Sequence, residues 1–440
     1  MKAHKISEKV YCLSADIKTG GLFEGIWPIP DGVSLNTYLV KGEKTAIIDL
    51  FMPWADTAQQ FDAALSSMGC GFDTIDYVIL NHLEPDHTGW LGEFRRLNPR
   101  AEIISTAKGI NLVKSFYKAE AGLRAVKDGE KLDLGGAELY FYETPNIHWP
   151  ETMVSWEPAS GTLFSCDAFG SFGAPGFCGP RNGRIFDDEF SPEEHTFFEK
   201  ETLRYYANIV SSFSGFVERG IEKIKGLDIH CIAPSHGIVW RENPQTIIDL
   251  YKKYAAYSRA ALPRAALPGT APPDAPPDAP ETAFSGEKEI AIIWASMYGN
   301  TKLGLDAVIR GIEAEGVPYT IHRVPDEDVS YVLADAFKAR ALVLAMPTYE
   351  YAMFPPMAYV LDIFRRKHIF GKTVLRIGSW GWVGGAKKEY EAAIENLKWE
   401  SLPSIEWAGA PTAEELKQLE EGGKALAKIV KNQAGLLQKQ

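Results

Sequence analysis

The chain has 440 residues, 45% of them hydrophobic and 24% charged, which is ordinary for a globular protein of two or three domains. A net charge of −12 and a pI near 5.4, with no basic stripe, argue against nucleic acid and anionic membrane as partners. Met1 to Val10 lacks the apolar core of a signal peptide and no run of about eighteen apolar residues occurs, so the expected location is the cytosol. The first elements are strands: Val33–Val40 alternates, Gly42-Glu43 turns, and Thr45–Leu50 runs back. Helical spacing over Ala55–Met68 follows, then the apolar run Tyr77-Val-Ile-Leu80, which reads as a buried strand.

That strand ends in Asn81-His82-Leu83-Glu84-Pro85-Asp86-His87-Thr88-Gly89, four possible metal ligands within six residues. Pro85 is expected to bar a helix through the cluster, leaving His82, Glu84, Asp86 and His87 to fan out from a loop, an arrangement that suits two ions better than one. A solvated polar turn is the plainer alternative. Three later junctions add ligands: Asn146-Ile-His148-Trp-Pro150, Ser165-Cys-Asp167-Ala168 and Pro234-Ser-His236-Gly237. Between them, Val154–Trp156 and Thr162–Ser165 look like a hairpin, and Ile247–Ala260 has helical period. Phe23, Trp27, Trp149 and Phe172 are candidates for the wall of a small-molecule pocket, with ordinary packing the plainer reading.

With these ligands in place, the N-terminal part resembles the metallo-β-lactamase superfamily, whose His-x-His-x-Asp-His loop is followed by a distant His, a bridging Asp and a last His. The resemblance implies two sheets covered by helices, an αββα sandwich, with the site at the strand ends. Glu84 stands where the hydrolases carry their second His. A carboxylate there hardens the ligand set and favours iron or manganese over zinc. Glu84, Asp86 and Asp167 bring three negative charges against the four positive charges of two ferrous ions, so one bridging hydroxide leaves the core neutral. The five cysteines, Cys12, Cys70, Cys166, Cys178 and Cys231, form no Cys-x-x-Cys pair, which fits free thiols in a reducing compartment and speaks against a rubredoxin module in this sequence. Cys166, flanked by Phe164 and Phe169, reads as a small core hydrophobe.

Prolines crowd the segment 261–286, the expected semi-rigid linker between a domain over 1–260 and another over 287–440. In polyproline geometry about twenty residues span on the order of 60 Å. After it the pattern alternates: strand Glu289–Ala295, helix from Thr301, strands Tyr319–His322 and Ala341–Ala345, helix from Pro356, strand Thr373–Gly378, helix from Ala386, and a charged covering helix Ala413–Lys431. This predicts an α/β doubly wound parallel sheet with its ligand at the carboxyl ends of the strands. Ser296-Met297-Tyr298-Gly299-Asn300-Thr301 offers hydroxyls and free amides to a phosphate without the Lys of a P-loop, so a lone phosphomonoester fits better than a triphosphate.

This half resembles flavodoxin, and the resemblance extends to Met346-Pro347-Thr348-Tyr349-Glu350 and Gly378-Ser379-Trp380-Gly381-Trp382-Val-Gly384-Gly385. In that family the corresponding loops bracket the ring of FMN, which implies Trp380 or Trp382 stacked on it. A metallo-β-lactamase-like half carrying Glu84, joined to a flavodoxin-like half, resembles the flavodiiron proteins over nearly the whole chain. That resemblance implies one iron on His82, Glu84 and His148, a second on Asp86, His87 and His236, and Asp167 bridging them. It implies reduction of dioxygen to water, of nitric oxide to nitrous oxide, or of both. It also implies a separate electron donor, such as rubredoxin, a reductase or a reduced deazaflavin coenzyme, and a head-to-tail homodimer or a dimer of such dimers. Two rivals are a zinc hydrolase of the metallo-β-lactamase superfamily with an electron-transfer flavodoxin domain, and a non-enzymatic gas sensor.

Overall fold

The computed structural model describes residues 1–17, 21–53, 56–177, 183–259 and 286–432. It divides into two compact units, Met1–Lys252 and Lys253–Gln440, with the division inside the helix Pro244–Arg259. The expected linker, 261–286, lies outside the described residues except for Gly286.

The first unit holds a seven-stranded and a five-stranded sheet. Alternation decides what packs where. Val10, Cys12, Tyr38, Val40, Ala46, Ile48 and Ile79 point from the larger sheet into a core shared with Leu139, Phe141, Met153, Phe164 and Ala233 of the smaller one. The intervening Leu13, Leu39, Ile47 and Val78 point the other way, against Phe61, Leu65, Trp90 and Phe94 of the covering helices. The expected hairpin is present: Val33–Lys41 pairs antiparallel with Thr45–Ile48, Tyr38 opposite Ile48. Met153–Glu157 and Thr162–Cys166 form the second one. Strands Lys2–Lys5 and Val10–Ile17, which extend the larger sheet beyond Val33–Lys41, have no counterpart in the sequence reading.

One local expectation fails. Pro85 does not bar a helix; it opens one, Pro85–Thr88, with Glu84 as the extended residue before it. At the first helical position proline's missing N–H has no intrahelical partner to lose and its fixed φ is already helical. Asp86 and His87 therefore leave from successive positions of a single helical turn rather than from a loop.

The second unit is a parallel sheet ordered Tyr319–Arg323, Glu287–Trp294, Ala339–Ala345, Thr373–Trp380, with Glu400–Ser401 and Ile405–Ala408 both on the far edge of Thr373–Trp380. In sequence terms this is strand order 2-1-3-4-5, the flavodoxin-like winding, and it opens a crevice where the order reverses beside Glu287–Trp294. Helices Asn300–Ala314 and Ala413–Asn432 lie close together because glycine faces backbone at both contacts. A Cβ on Gly311 would stand 2.1 Å from the Glu420 carbonyl oxygen, and one on Gly423 2.2 Å from that of Val308.

His322, on the edge strand, is buried between Glu327 (Nδ1 to Oε2, 2.6 Å) and Asp335 (Nε2 to Oδ2, 2.8 Å). Burial lowers its pKa, but the hydrogen bonds to Asp335 and Glu327 outweigh burial and leave it above the ordinary 6.5. A folded-state pKa above the unfolded one contributes stability that is complete below pH about 6.5 and fades as pH rises through the folded value. Thermal unfolding of His322→Gln should therefore fall furthest below the parent at pH 6, with the two curves converging toward pH 9.

Candidate metal and flavin sites

The metal-ligand candidates meet at one end of the sandwich because both sheets deliver their loops there. Asn81 ties the sheets together at that end: its amide donates to Asp49 Oδ1 (2.8 Å), its Nδ2 to the Phe164 carbonyl (3.1 Å), and its Oδ1 accepts from Ser155 Oγ (2.7 Å). His82 follows directly. Strand Val33–Lys41 fixes the opposite wall, where Asn36 Nδ2 donates to the Pro234 carbonyl at 3.0 Å and the Ser34 hydroxyl accepts the Gly237 amide at 2.6 Å.

Three groups of side chains result among the described residues: His82, Glu84, His148 with Asp167; Asp86, His87, His236; and, sharing His87, Asp49 with Cys166. All seven residues expected from the sequence are here. Asp167 faces the first two groups: Oδ2 lies 3.3 Å from His82 Nε2 and 3.4 Å from His148 Nε2, Oδ1 3.1 Å from His87 Nε2 and 3.3 Å from His236 Nε2. Glu84 Oε2 is 3.3 Å from His82 and 3.1 Å from His148, and Asp86 lies 3.2 Å from His236 and 3.6 Å from His87. All four imidazoles thus present Nε2 inward. The outer nitrogens are held elsewhere, His82 Nδ1 by Glu151 (2.8 Å) and His236 Nδ1 by the Ser34 carbonyl (2.9 Å), which places the Nε2 lone pair on the inside.

Charge pushes these groups in opposite directions. Burial works to raise the Glu84 carboxyl, yet hydrogen bonds from His148 and His82 hold it down to about 2. Burial works to lower His148 and His236, yet the neighbouring carboxylates of Asp167 and Glu84, and of Asp167 and Asp86, carry them up to about 10 and about 9. The residues fit metal ions on a separate ground. Both oxygens of Asp86 and Oδ2 of Asp167 are buried without an aligned hydrogen bond. They face imidazole nitrogens at 3.2–3.6 Å, close to the ~3.4 Å between neighbouring ligand atoms set about 2.1 Å from one tetrahedral ion.

Around the cluster, the Tyr205 hydroxyl donates to Asp167 Oδ1 at 3.0 Å, and Phe23 packs edge-on against His236 (5.3 Å) and Phe172 (5.4 Å). Trp149 lies edge-on to His82 at 5.0 Å. Trp27 instead hydrogen-bonds Glu24. Cys166 sits outside the ring of ligands, its Sγ 3.8 Å from His87 Nδ1. Glu151, Ser34, Asp49 and Tyr205 were missed in the sequence; none has a motif, and Glu151 alone stands near one, three residues after His148.

In the second unit the three expected loops gather at the carboxyl ends of the strands. Gly299, at φ 92°, precedes helix Asn300–Ala314 with no side chain capping it, so the first-turn amides face the loop. Ser296 Oγ accepts the Gly299 amide at 2.9 Å, and the buried Thr301 hydroxyl lies 2.8 Å from that of Ser379, joining the first loop to the third. Thr348 Oγ1 accepts the Ala386 amide at 3.4 Å, tying in the second. Tyr298 and Trp382 are 91% and 75% exposed and Met297 and Tyr349 are exposed too, a large apolar surface for one rim. Trp380 is less exposed and lies 3.7 Å from the Cβ position of Gly384. Pro347, Asn300 and Gly381 occupy the same loops.

An αββα unit with a binuclear ligand set, joined in one chain to a flavodoxin-like unit, defines a two-domain metalloflavoprotein. Residues 33–237 match the model of the ODP family of β-lactamases. The anaerobic nitric oxide reductase flavorubredoxin of Vibrio vulnificus is 30% identical over 404 residues, covering 90% of this chain and 74% of its own length. That of Salmonella arizonae is 31% identical over 403 residues, 90% of this chain and 76% of its own. Among solved structures, the flavoprotein of Thermotoga maritima aligns with TM-score 0.82 at 26% identity, over 97% of this chain and 98% of that one. The rubredoxin oxygen:oxidoreductase of Desulfovibrio gigas shares the fold with TM-score 0.86 at 24% identity, over 98% and 100%. The chain belongs to the flavodiiron protein family.

Proposed function

We propose that this chain is an oxidoreductase that reduces nitric oxide to nitrous oxide, dioxygen to water, or both, at a diiron centre fed by FMN. The observation that carries the reading is Asp167 facing both triads at once, with Glu84 in place of a hydrolase histidine. His82, Glu84 and His148 would hold one iron, Asp86, His87 and His236 the other, and Asp167 both. When bound, a pair of ferrous ions would supply two electrons, one from each, and a reduced flavin two more: four take dioxygen to two waters, and two take two molecules of nitric oxide to nitrous oxide and one water.

The chain's own residues do the rest. Nδ1 partners keep the imidazoles oriented, Tyr205 steadies Asp167, and Phe23 and Phe172 shield that side of the cluster from bulk water. The first-turn amides of Asn300–Ala314, with Ser296 and Thr301, would bind the FMN phosphate. The loops carrying Pro347, Thr348, Tyr349, Ser379, Trp380, Gly381, Trp382 and Gly384 would bracket its ring, with Met297, Tyr298, Gly299 and Asn300 completing the rim. Among the described residues no helix is long and apolar enough to cross a membrane. A cytosolic location, a separate rubredoxin or reduced deazaflavin coenzyme as donor, and a head-to-tail homodimer complete the proposal.

Purified protein should contain iron and FMN and consume either gas under anaerobic conditions when a reduced donor is supplied. Two zinc ions with thioester or lactam hydrolysis would replace this reading by the hydrolase one, and gas binding without turnover by the sensor. A fully active monomer in analytical ultracentrifugation would remove the dimer.

The flavin half has its own check. A Cβ at Gly378 would stand 2.1 Å from the Met346 carbonyl oxygen, so Gly378→Val must push the second and third loops apart. FMN should then bind at least about tenfold more weakly, equivalent to about 1.4 kcal/mol, as read by flavin fluorescence titration.

A further inference from the structure

Glu151 has no place in the ligand set, yet its side chain is as buried as the ligands, at 0% exposure. Its Oε1 accepts from His82 Nδ1 at 2.8 Å and from the Leu83 amide at 3.1 Å, and its Oε2 is buried with no hydrogen-bond partner. Its backbone carbonyl accepts from Thr106 Oγ1 at 2.9 Å, and Thr106 is the capping residue of helix Ala107–Tyr117, so the carboxylate is carried on a fixed piece of backbone. Among the described residues, no carboxylate is hydrogen-bonded to an imidazole Nδ1 of the other triad. His236 Nδ1 ends on a neutral carbonyl, and His87 Nδ1 faces the Cys166 thiol at 3.8 Å. Asp49 is near His87 and Cys166, but its Oδ1 takes the Asn81 amide and it shares no hydrogen bond with an imidazole.

We infer that Glu151 is a positioning residue that makes the two metal positions unequal, so that the ion on His82, Glu84 and His148 is bound more tightly and is the first to be held as ferric. The inference rests on the ligand set proposed above. A carboxylate behind an imidazole fixes the ring and draws its proton outward, so Nε2 becomes a stronger donor. Its charge is hydrogen-bonded directly to a ligand of the first position, whereas the carboxylate behind the second, Asp49, stands beside His87 without such a bond. A carboxylate coupled to a ligand in this way favours the more highly charged ion.

The test titrates metal-free protein with ferrous ion alone, counting ions bound, and follows the half-oxidised signal of the loaded protein by electron paramagnetic resonance during reductive titration. The parent should load in two separable steps. Glu151→Gln keeps an oxygen to accept from both His82 and Leu83 but loses the charge. It should weaken the tighter step by about 10- to 100-fold, leave the other unchanged, and shrink the half-oxidised signal as the two potentials converge. A purely mechanical role predicts that Gln behaves as the parent in both titrations, and that result overturns the inference. Should the Gln variant fail to fold, the parent decides: His82→Ala must abolish the tighter step and His236→Ala the looser one, and equal, simultaneous loading overturns the inference. If His82→Ala still binds two irons, the ligand set falls and takes this inference with it, a result distinct from unequal sites that ignore Glu151.

Discussion

Asp167→Ala should reduce the iron content from two per chain to one at most and depress gas reduction more than about a hundredfold, beyond what loss of an outer partner of a ligand costs. The reason is geometric before it is electrostatic. Asp167 places one oxygen at 3.3–3.4 Å from His82 and His148 and the other at 3.1–3.3 Å from His87 and His236, and among the described residues it is the side chain that faces both triads. Burial works to raise its pKa, but the charge on His87 and hydrogen bonds from His148, His236 and His87 hold it well below the ordinary carboxylate range. Its removal leaves four inward-facing imidazoles, a buried tyrosine hydroxyl without its acceptor, and two cations with less charge between them. Iron analysis alongside circular dichroism separates the expected result from unfolding: the fold should persist while the metal is lost. A variant that keeps two irons and full turnover would remove Asp167 from its bridging role.

What could be read from the chain follows from where its information is local. Alternation at Val33–Val40 and the apolar run within Thr45–Leu50 mark a strand pair, which is buried, and the regular strand and helix succession after residue 287 implies its winding. His82, Glu84, Asp86, His87, His148, Asp167 and His236 were legible because each stands in a polar break that follows an apolar run. The groups that orient them were not. Ser34 acts through its backbone carbonyl, which every residue has. Tyr205 reaches Asp167 from 38 positions away, from the end of helix Pro192–Tyr205. Asp49 ends an ordinary strand. The one-turn helix at Pro85 escaped because proline's effect depends on position: inside a helix it breaks, at the first position it starts. His322 carried no sign of its partners, since Glu327 and Asp335 reach it only after the chain has folded back.

Glu201→Ala should destabilise the first unit by about 3 kcal/mol, within the range of about 3–5 kcal/mol seen when one member of a buried ion pair is removed. Arg204, itself 2% exposed, donates from Nε to Glu201 Oε1 at 3.0 Å and from Nη1 to the Pro28 carbonyl at 2.8 Å. The retained bond to Pro28 keeps the cost at the lower end. Deleting the carboxylate leaves a guanidinium whose charge no longer has its buried counterpart, and such a charge is strongly disfavoured away from water. The consequence extends toward the metal ligands, because the guanidinium lies 4.5 Å over the Phe172 ring, and Phe172 packs against both Phe23 and Tyr205. Denaturant unfolding should show the lost stability, and turnover should fall with it as the aromatic wall loosens. Substituting Glu201→Ala together with Arg204→Met removes both charges while keeping a side chain over Phe172. This pair should recover most of the stability lost by the single change. If the double variant is no more stable than Glu201→Ala alone, loss of the Glu201 carboxylate from Arg204 is not what costs the fold its stability, and the loss must be assigned to packing around Phe172.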